Sequence, residues 1–312
     1  MTGRPRVVRV CGAVIGMLAG LGALPGAWAR ADQGSKPRSV LVTVLDQNGM
    51  PIRDLNASEF LVREDNQTRE VTGAELATDP LFVVLLADTT KSPMGITYPT
   101  QDVRGSLSSF AKIVTTESPG AEIALMEYGG AAMMTVNFAP TTDGVMKAID
   151  RLVPGQRASG VLFEALVDAG KALGKRTSPR RAIVAINFSW PDSSQMIPKA
   201  VADSVLKSGA SVWAVTIQGP PDSSNFQIGS QSVDNMMAAN REIVLTNLPA
   251  MTGGQRLTGV TATGLTSMMT KVANALSVQY VVTYAHPDGP PAQLVQATAK
   301  RGAKALTAPW VR

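Results

Sequence analysis

Apolar residues fall along this chain in two rhythms. Up to residue 77 they come in short β-branched runs separated by turn residues. Ser39-Val40-Leu41-Val42-Thr43-Val44-Leu45 is such a run, and Asp46-Gln47-Asn48-Gly49 carries the turn chemistry that closes a strand. Phe60-Leu61-Val62-Arg63-Glu64 fits a second strand, and Asp65-Asn66-Gln67-Thr68 turns the chain before Arg69-Glu70-Val71. Residues 38–77 therefore read as a small β unit built from hairpins.

From Leu81 the rhythm changes to strand, helix, strand, helix. Leu81–Ala87 is a continuous apolar run of strand length, as a strand covered on both faces by helices requires. Val103–Val114 reads as a helix, Glu122–Tyr128 and Ala132–Phe138 as strands paired around Gly129-Gly130, and Thr141–Leu152 as a helix. Val161–Leu173 is helical, Arg181–Phe188 a buried strand, Ile197–Lys207 a helix and Ala210–Ile217 a strand. After a polar stretch at Gly219–Ser232, a helix near Ala238–Leu248, a strand at Gly254–Leu257, a helix at Leu265–Leu276 and a strand at Val278–Tyr284 follow. This alternation predicts an α/β fold, a doubly wound, mostly parallel sheet flanked by helices over residues 80–285. Residues 286–312 read as a C-terminal β hairpin packing on the N-terminal β unit or on the main domain. Ligands of such sheets bind beyond the carboxyl ends of the strands, which points to the residues just after Ala87, Phe138, Phe188 and Ile217.

Charge alters this picture only at the N-terminus. The chain has 312 residues and a formal charge of +5, but Arg4, Arg6 and Arg9 precede the first acidic residue, Asp32. An apolar stretch from Cys11 to Leu24 then leads to Ala27-Trp28-Ala29, a small-x-small cleavage pattern. Residues 1–29 read as a removable export signal, and residues 30–37 as a flexible lead-in. The apolar run is shorter than the roughly 20 residues that span a bilayer, so no stable membrane span is expected after cleavage. Without Arg4, Arg6 and Arg9 the 29 basic residues become 26 against 24 acidic ones, which removes the footprint of a nucleic-acid binder. The expected location is periplasmic or secreted. The one cysteine, Cys11, lies inside the signal, so the mature chain carries neither thiol nor disulfide chemistry.

Candidate chemistry begins where the first buried strand ends, at Asp88-Thr89-Thr90-Lys91-Ser92. One carboxylate and two hydroxyls at alternate positions offer the hard oxygen ligands that Mg²⁺ or Mn²⁺ prefers; the same residue types also satisfy the backbone of ordinary turns. In this context the D-x-T-x-S spacing resembles the metal-ion-dependent adhesion site of the von Willebrand factor type A family. The opening segment Val42–Leu55 with Glu59–Asn66, and the closing Gln279–Tyr284 with Lys300–Lys304, resemble the exported bacterial proteins catalogued as VWFA-related. The resemblance covers roughly residues 38–312. It implies a von Willebrand factor A-like fold and a metal at Asp88, Thr90 and Ser92.

Two departures qualify that implication. Gly160 stands where the family has a metal-binding threonine, and Phe188 stands where it has an aspartate at the end of the fourth strand. Mg²⁺ needs near-octahedral oxygen geometry, so Asp88, Thr90 and Ser92 are read as a remnant whose side chains cap loops, with no cofactor expected beyond weak Mg²⁺ or Mn²⁺. Ser159, Asn187 and Asp192 are nearby oxygens. The expected working surface is the strand-end face formed by Ser159, Gly160, Asn187, Phe188, Trp190 and Asp192, with a protein as partner and no catalytic residues. Met236-Met237 are expected to be exposed, and His286, the only histidine, is expected in an exposed turn before Pro287-Asp288-Gly289. There is no G-x-S-x-G, P-loop or G-x-G-x-x-G opening a helix. The expected function is an exported, non-enzymatic adhesion or assembly module. A structural or scaffolding protein of the cell envelope that leaves this face unused is the alternative, and an extracytoplasmic hydrolase would rest on isolated Ser and Asp residues.

Overall fold

A computed structural model describes residues 36–91, 100–153, 159–188, 192–218, 231–290, 292 and 294–311, all within one compact unit. The expected export signal, residues 30–35 of the expected lead-in, Ser92 and Trp190 lie outside the described residues; Lys36 and Pro37, expected in the flexible lead-in, are instead strand residues paired with His286 and Ala285. The strands are β1 (Lys36–Leu45), β2 (Phe60–Glu64), β3 (Gln67–Arg69), β4 (Val71–Leu76), β5 (Phe82–Ala87), β6 (Glu122–Glu127), β7 (Met133–Val136), β8 (Arg181–Phe188), β9 (Ser211–Ile217), β10 (Arg256–Gly259), β11 (Tyr280–His286), β12 (Val295–Ala299) and β13 (Lys304–Val311). The helices are α1 (Thr100–Glu117), α2 (Asp143–Arg151), α3 (Leu162–Gly174), α4 (Pro198–Ser208), α5 (Gln231–Met251) and α6 (Leu265–Ser277).

The central sheet has the order β10-β9-β8-β5-β6-β7 and is parallel except for β7. Its strands are apolar on both faces because helices cover both. Val83, Leu85, Ala87, Val184, Ile186 and Phe188 pack with α1, α2 and α6 on one side. Val84, Leu86, Met126, Tyr128, Ile183 and Ala185 pack with α3, α4 and α5 on the other. Local signals set the helix ends: α4 starts with Pro198 in its first turn and stops at Gly209, which takes a left-handed φ of 66°.

The remaining strands build two smaller sheets, β13-β1-β11-β4 and β12-β2-β3, around a separate apolar cluster of Val40, Val42, Phe60, Val62, Tyr280 and Val282. Arg180, 3% exposed, ties this layer to the base of the central sheet. Its guanidinium donates to the carbonyls of Asp79 (2.9 Å) and Leu276 (2.9 Å) and to Gln279 Oε1 (3.2 Å), and burial lowers its pKa to about 10.

Three expectations are corrected here. The last two strands do not form a hairpin: β12 pairs with β2, and β13 with β1. Between them Arg301 is bound by Asp54 and Glu59, while the Lys300 and Ala303 N–H groups donate to Glu59 O and Leu45 O, which sends the two strands to different sheets. Phe138 is not at a strand-end site. It follows the antiparallel β7 and so returns to the opposite edge, where its ring meets that of Phe82 at the start of β5 (5.8 Å). His286 is not an exposed turn residue. It ends β11 as the last of the inward positions Tyr280, Val282 and Tyr284, and is 5% exposed.

Candidate functional site

The strand alternation decides what meets at the carboxyl edge of the sheet. Asp88 follows Val84 and Leu86 in parity, Tyr128 follows Ala124 and Met126, and Asn187 follows Ile183 and Ala185, so all three side chains lie on the side of α3, α4 and α5. Phe188 has the opposite parity. Arg241 joins them from α5, on the stripe that continues through Val244, Leu245 and Leu248.

Asp88 is 3% exposed, and both of its oxygens are in use. Oδ1 accepts from the Thr90 N–H (3.0 Å) and the Thr90 hydroxyl, and Oδ2 accepts from the Phe188 N–H (2.9 Å). Burial pushes its pKa up; the hydrogen bonds from Thr90 and Phe188 and the charge of Arg241 pull it back part of the way. Thr89 Oγ1 accepts from the Gly129 N–H (3.2 Å). The Tyr128 hydroxyl donates to Ile186 O (2.8 Å), and burial together with the nearby Asp88 charge raises its pKa well above the usual phenol value.

The second loop is built around Gly160. Its neighbours bridge two strand ends: the Gly130 N–H donates to Ser159 O (2.7 Å), the Val161 N–H to Tyr128 O (2.9 Å) and the Ser193 N–H to Gly160 O (2.7 Å). A Cβ at Gly160 would lie 3.2 Å from Thr90 Cγ2 and 3.5 Å from the Tyr128 ring. The room that a threonine side chain would need is therefore held by Thr90 and Tyr128. Asp192 serves the next helix instead of a ligand, because Oδ2 accepts from the Leu162 N–H (3.1 Å) at the start of α3 and Oδ1 from the Ser194 N–H (2.9 Å). Ser159 Oγ accepts a hydrogen bond from Ser193 Oγ (2.7 Å) on the exposed rim.

At the end of β8 the Phe188 side chain is 1% exposed and sits in the core with α1 and α6. Only its peptide reaches the site: the N–H donates to Asp88, and the carbonyl accepts from Arg241 Nη2 (2.5 Å). Asn187 Nδ2 donates to Thr216 Oγ1 (3.0 Å), while its buried Oδ1 has no hydrogen-bond partner among the described residues. Of the expected partner-contacting residues, Gly160, Asn187 and Phe188 are thus interior, whereas Ser159 and Asp192 are half-buried. Tyr128 and Arg241 were missed from sequence. Strand parity carried the signal for Tyr128, and the helical stripe on α5 carried it for Arg241.

Among the described residues the carboxylates that line the space beside Asp88 are Asp88 itself and Asp192, and the oxygens of both already accept hydrogen bonds. Asp88, Thr90, Tyr128, Gly160, Asn187 and Arg241 close tightly around this space, and among the described residues no three His, Cys, Asp or Glu side chains group to hold a metal ion. Mg²⁺ normally keeps several waters and requires octahedral oxygen ligands.

No family model matches the chain, and no curated protein matches its sequence. Among solved structures it is similar to a mutant of the PilB minor pilin from Streptococcus sanguinis, with a TM-score of 0.48 and 10% identity over 64% of this chain. It is also similar to the vWF domain of the type V pili tip protein Mfa5 from Porphyromonas gingivalis, with a TM-score of 0.46 and 11% identity over 64% of this chain and 96% of that one. A third is the SpRpn10 VWA domain, with a TM-score of 0.39 and 15% identity over 60% of this chain and 93% of that one. The structural neighbours are von Willebrand factor A domains. The chain spans 62% of the length of the PilB structure. These likenesses are distant and concern architecture alone.

Proposed function

We propose that the chain is an exported, non-enzymatic protein-binding module of von Willebrand factor A type, which uses the strand-end face without a resident dication. The observation that carries this reading is the filling of the position beside Asp88 by Thr90, Tyr128 and Arg241, with both carboxylate oxygens already accepting hydrogen bonds. Turnover would need an accessible nucleophile, acid or base. Asp88, Thr90, Tyr128 and Asn187 are buried, and what the described face offers outward is a fixed polar rim of Ser159, Asp192 and Ser193. A rigid polar rim held by backbone hydrogen bonds suits recognition of another protein. The N-terminal pattern of Arg4, Arg6, Arg9 and the apolar run supports a partner outside the cytoplasm.

Site-specific photo-crosslinking in the native host tests this. A crosslinker at Ser193 is expected to capture a defined protein adduct that survives chelator and is missing when the crosslinker stands at Lys112 on α1. The absence of an adduct at Ser193, or one that chelator removes, would overturn the proposal.

A further inference from the structure

A buried carboxylate must be neutralised by a proton or compensated by a nearby positive charge. The side chains facing Asp88 are Thr90 from its own loop, Tyr128 beyond β6, Asp192 before α4 and Arg241 from α5. Among the described residues that line this space, Arg241 is the cation. The peptide of residue 188 joins the two, since its N–H donates to Asp88 Oδ2 (2.9 Å) and its carbonyl accepts from Arg241 Nη2 (2.5 Å).

We infer that Arg241 is the internal cation of the strand-end site: its guanidinium stands in for a dication, compensates Asp88 and fastens α5 to the carboxyl end of β8. This rests on the metal-free reading of the face. A guanidinium suits the position better than an ion would. It is weakly hydrated and brings its own donors on a tether, so it needs neither a water shell nor further carboxylates. Thr90, Tyr128 and Gly160, which crowd the space beside Asp88, line it together with Arg241. The arrangement makes the face independent of solution cations and couples it to the position of α5.

The test follows the Asp88 carboxyl carbon by NMR pH titration in the full chain, comparing wild type with Arg241→Gln and Arg241→Lys. Gln keeps a donor for Phe188 O and removes the charge; Lys keeps the charge. The expected result is an Asp88 titration moved upward by about one unit, a tenfold change in proton affinity, in Arg241→Gln, with most of the shift reversed in Arg241→Lys. An unchanged titration in Arg241→Gln would overturn the inference. If Arg241→Gln is too unstable to titrate, melting temperatures of Asp88→Asn, Arg241→Lys and the double variant replace it: losses smaller together than summed are expected, and additive losses overturn the inference. Titrating wild type with Mg²⁺ or Mn²⁺ separates the two levels. A dication bound at Asp88 overturns the metal-free reading itself, whereas no binding with an unchanged Asp88 titration overturns only the role of Arg241.

Discussion

Among the described residues two carboxylates, Glu64 and Asp88, are buried, and they are held in opposite ways. Glu64, 1% exposed, lies between the two small sheets and accepts from the Tyr284 hydroxyl (2.8 Å) at Oε1, and from Arg69 Nε (2.9 Å) and the His286 ring (2.7 Å) at Oε2. Burial alone would raise its pKa, but these three partners outweigh it and the net shift is downward. Asp88, 3% exposed, has mainly neutral donors and a single nearby guanidinium, and its net shift is upward. Low exposure alone therefore does not fix the direction of the shift: Asp88 lies deeper than Glu64 and is surrounded by less positive charge. What decides is the number of donors and how much positive charge they bring. Glu64 fastens a structural layer, whereas Asp88 is buried at the carboxyl edge of the central sheet.

That contrast is open to attack at several points. Glu64→Ala leaves Arg69, Tyr284 and His286 without their acceptor and is expected to cost about 3–5 kcal/mol in urea unfolding. Asp88→Ala is expected to cost less, about 1–3 kcal/mol, because it removes a desolvated carboxyl along with its hydrogen bonds; the reverse order would break the comparison. Acid profiles sharpen it. Glu64, with its lowered pKa, contributes stability above the ordinary value of 4.5 that is lost as pH falls through its folded value. Glu64→Gln should flatten that loss. Asp88, with its raised pKa, subtracts stability as pH rises from 3.8 through its folded value, so Asp88→Asn should gain relative to wild type over that rise. Melting curves between pH 3 and 7 read both signs. Gly160→Thr must push Thr90 and Tyr128 by tenths of an ångström, and is expected to cost about 1 kcal/mol while producing no dication affinity by calorimetry. Ser193→Arg should change stability by less than about 0.5 kcal/mol, yet weaken capture of the partner.

Much of this architecture is written in the alternation of the strands. The limits of β8 and β2 are readable from apolar runs, and helices α1 to α4 and α6 from their period and flanking residues. The direction of a strand is not. Glu122–Tyr128 and Ala132–Phe138 are visibly joined by a connection too short for a parallel crossover, yet the carboxyl end of the second is then the wrong edge for a ligand, which is why Phe138 misleads. Parity also places Glu64 opposite Tyr284 and His286, but the Pro287-Asp288-Gly289 turn masks it for His286. Asp88 and Thr90 are legible because they share one loop. Arg241 is legible only as a position on the α5 stripe it shares with Val244, Leu245 and Leu248; nothing local relates that stripe to the loop after β5, and the packing of α5 brings them together.

The central claim is that the strand-end face holds its buried carboxylate without a solution cation. The most direct test is the melting temperature of the chain in chelator and in millimolar Mg²⁺ or Mn²⁺, because a dication that binds only the folded state must raise it. No shift is predicted. A rise of several degrees that disappears in Asp88→Ala would contradict the account.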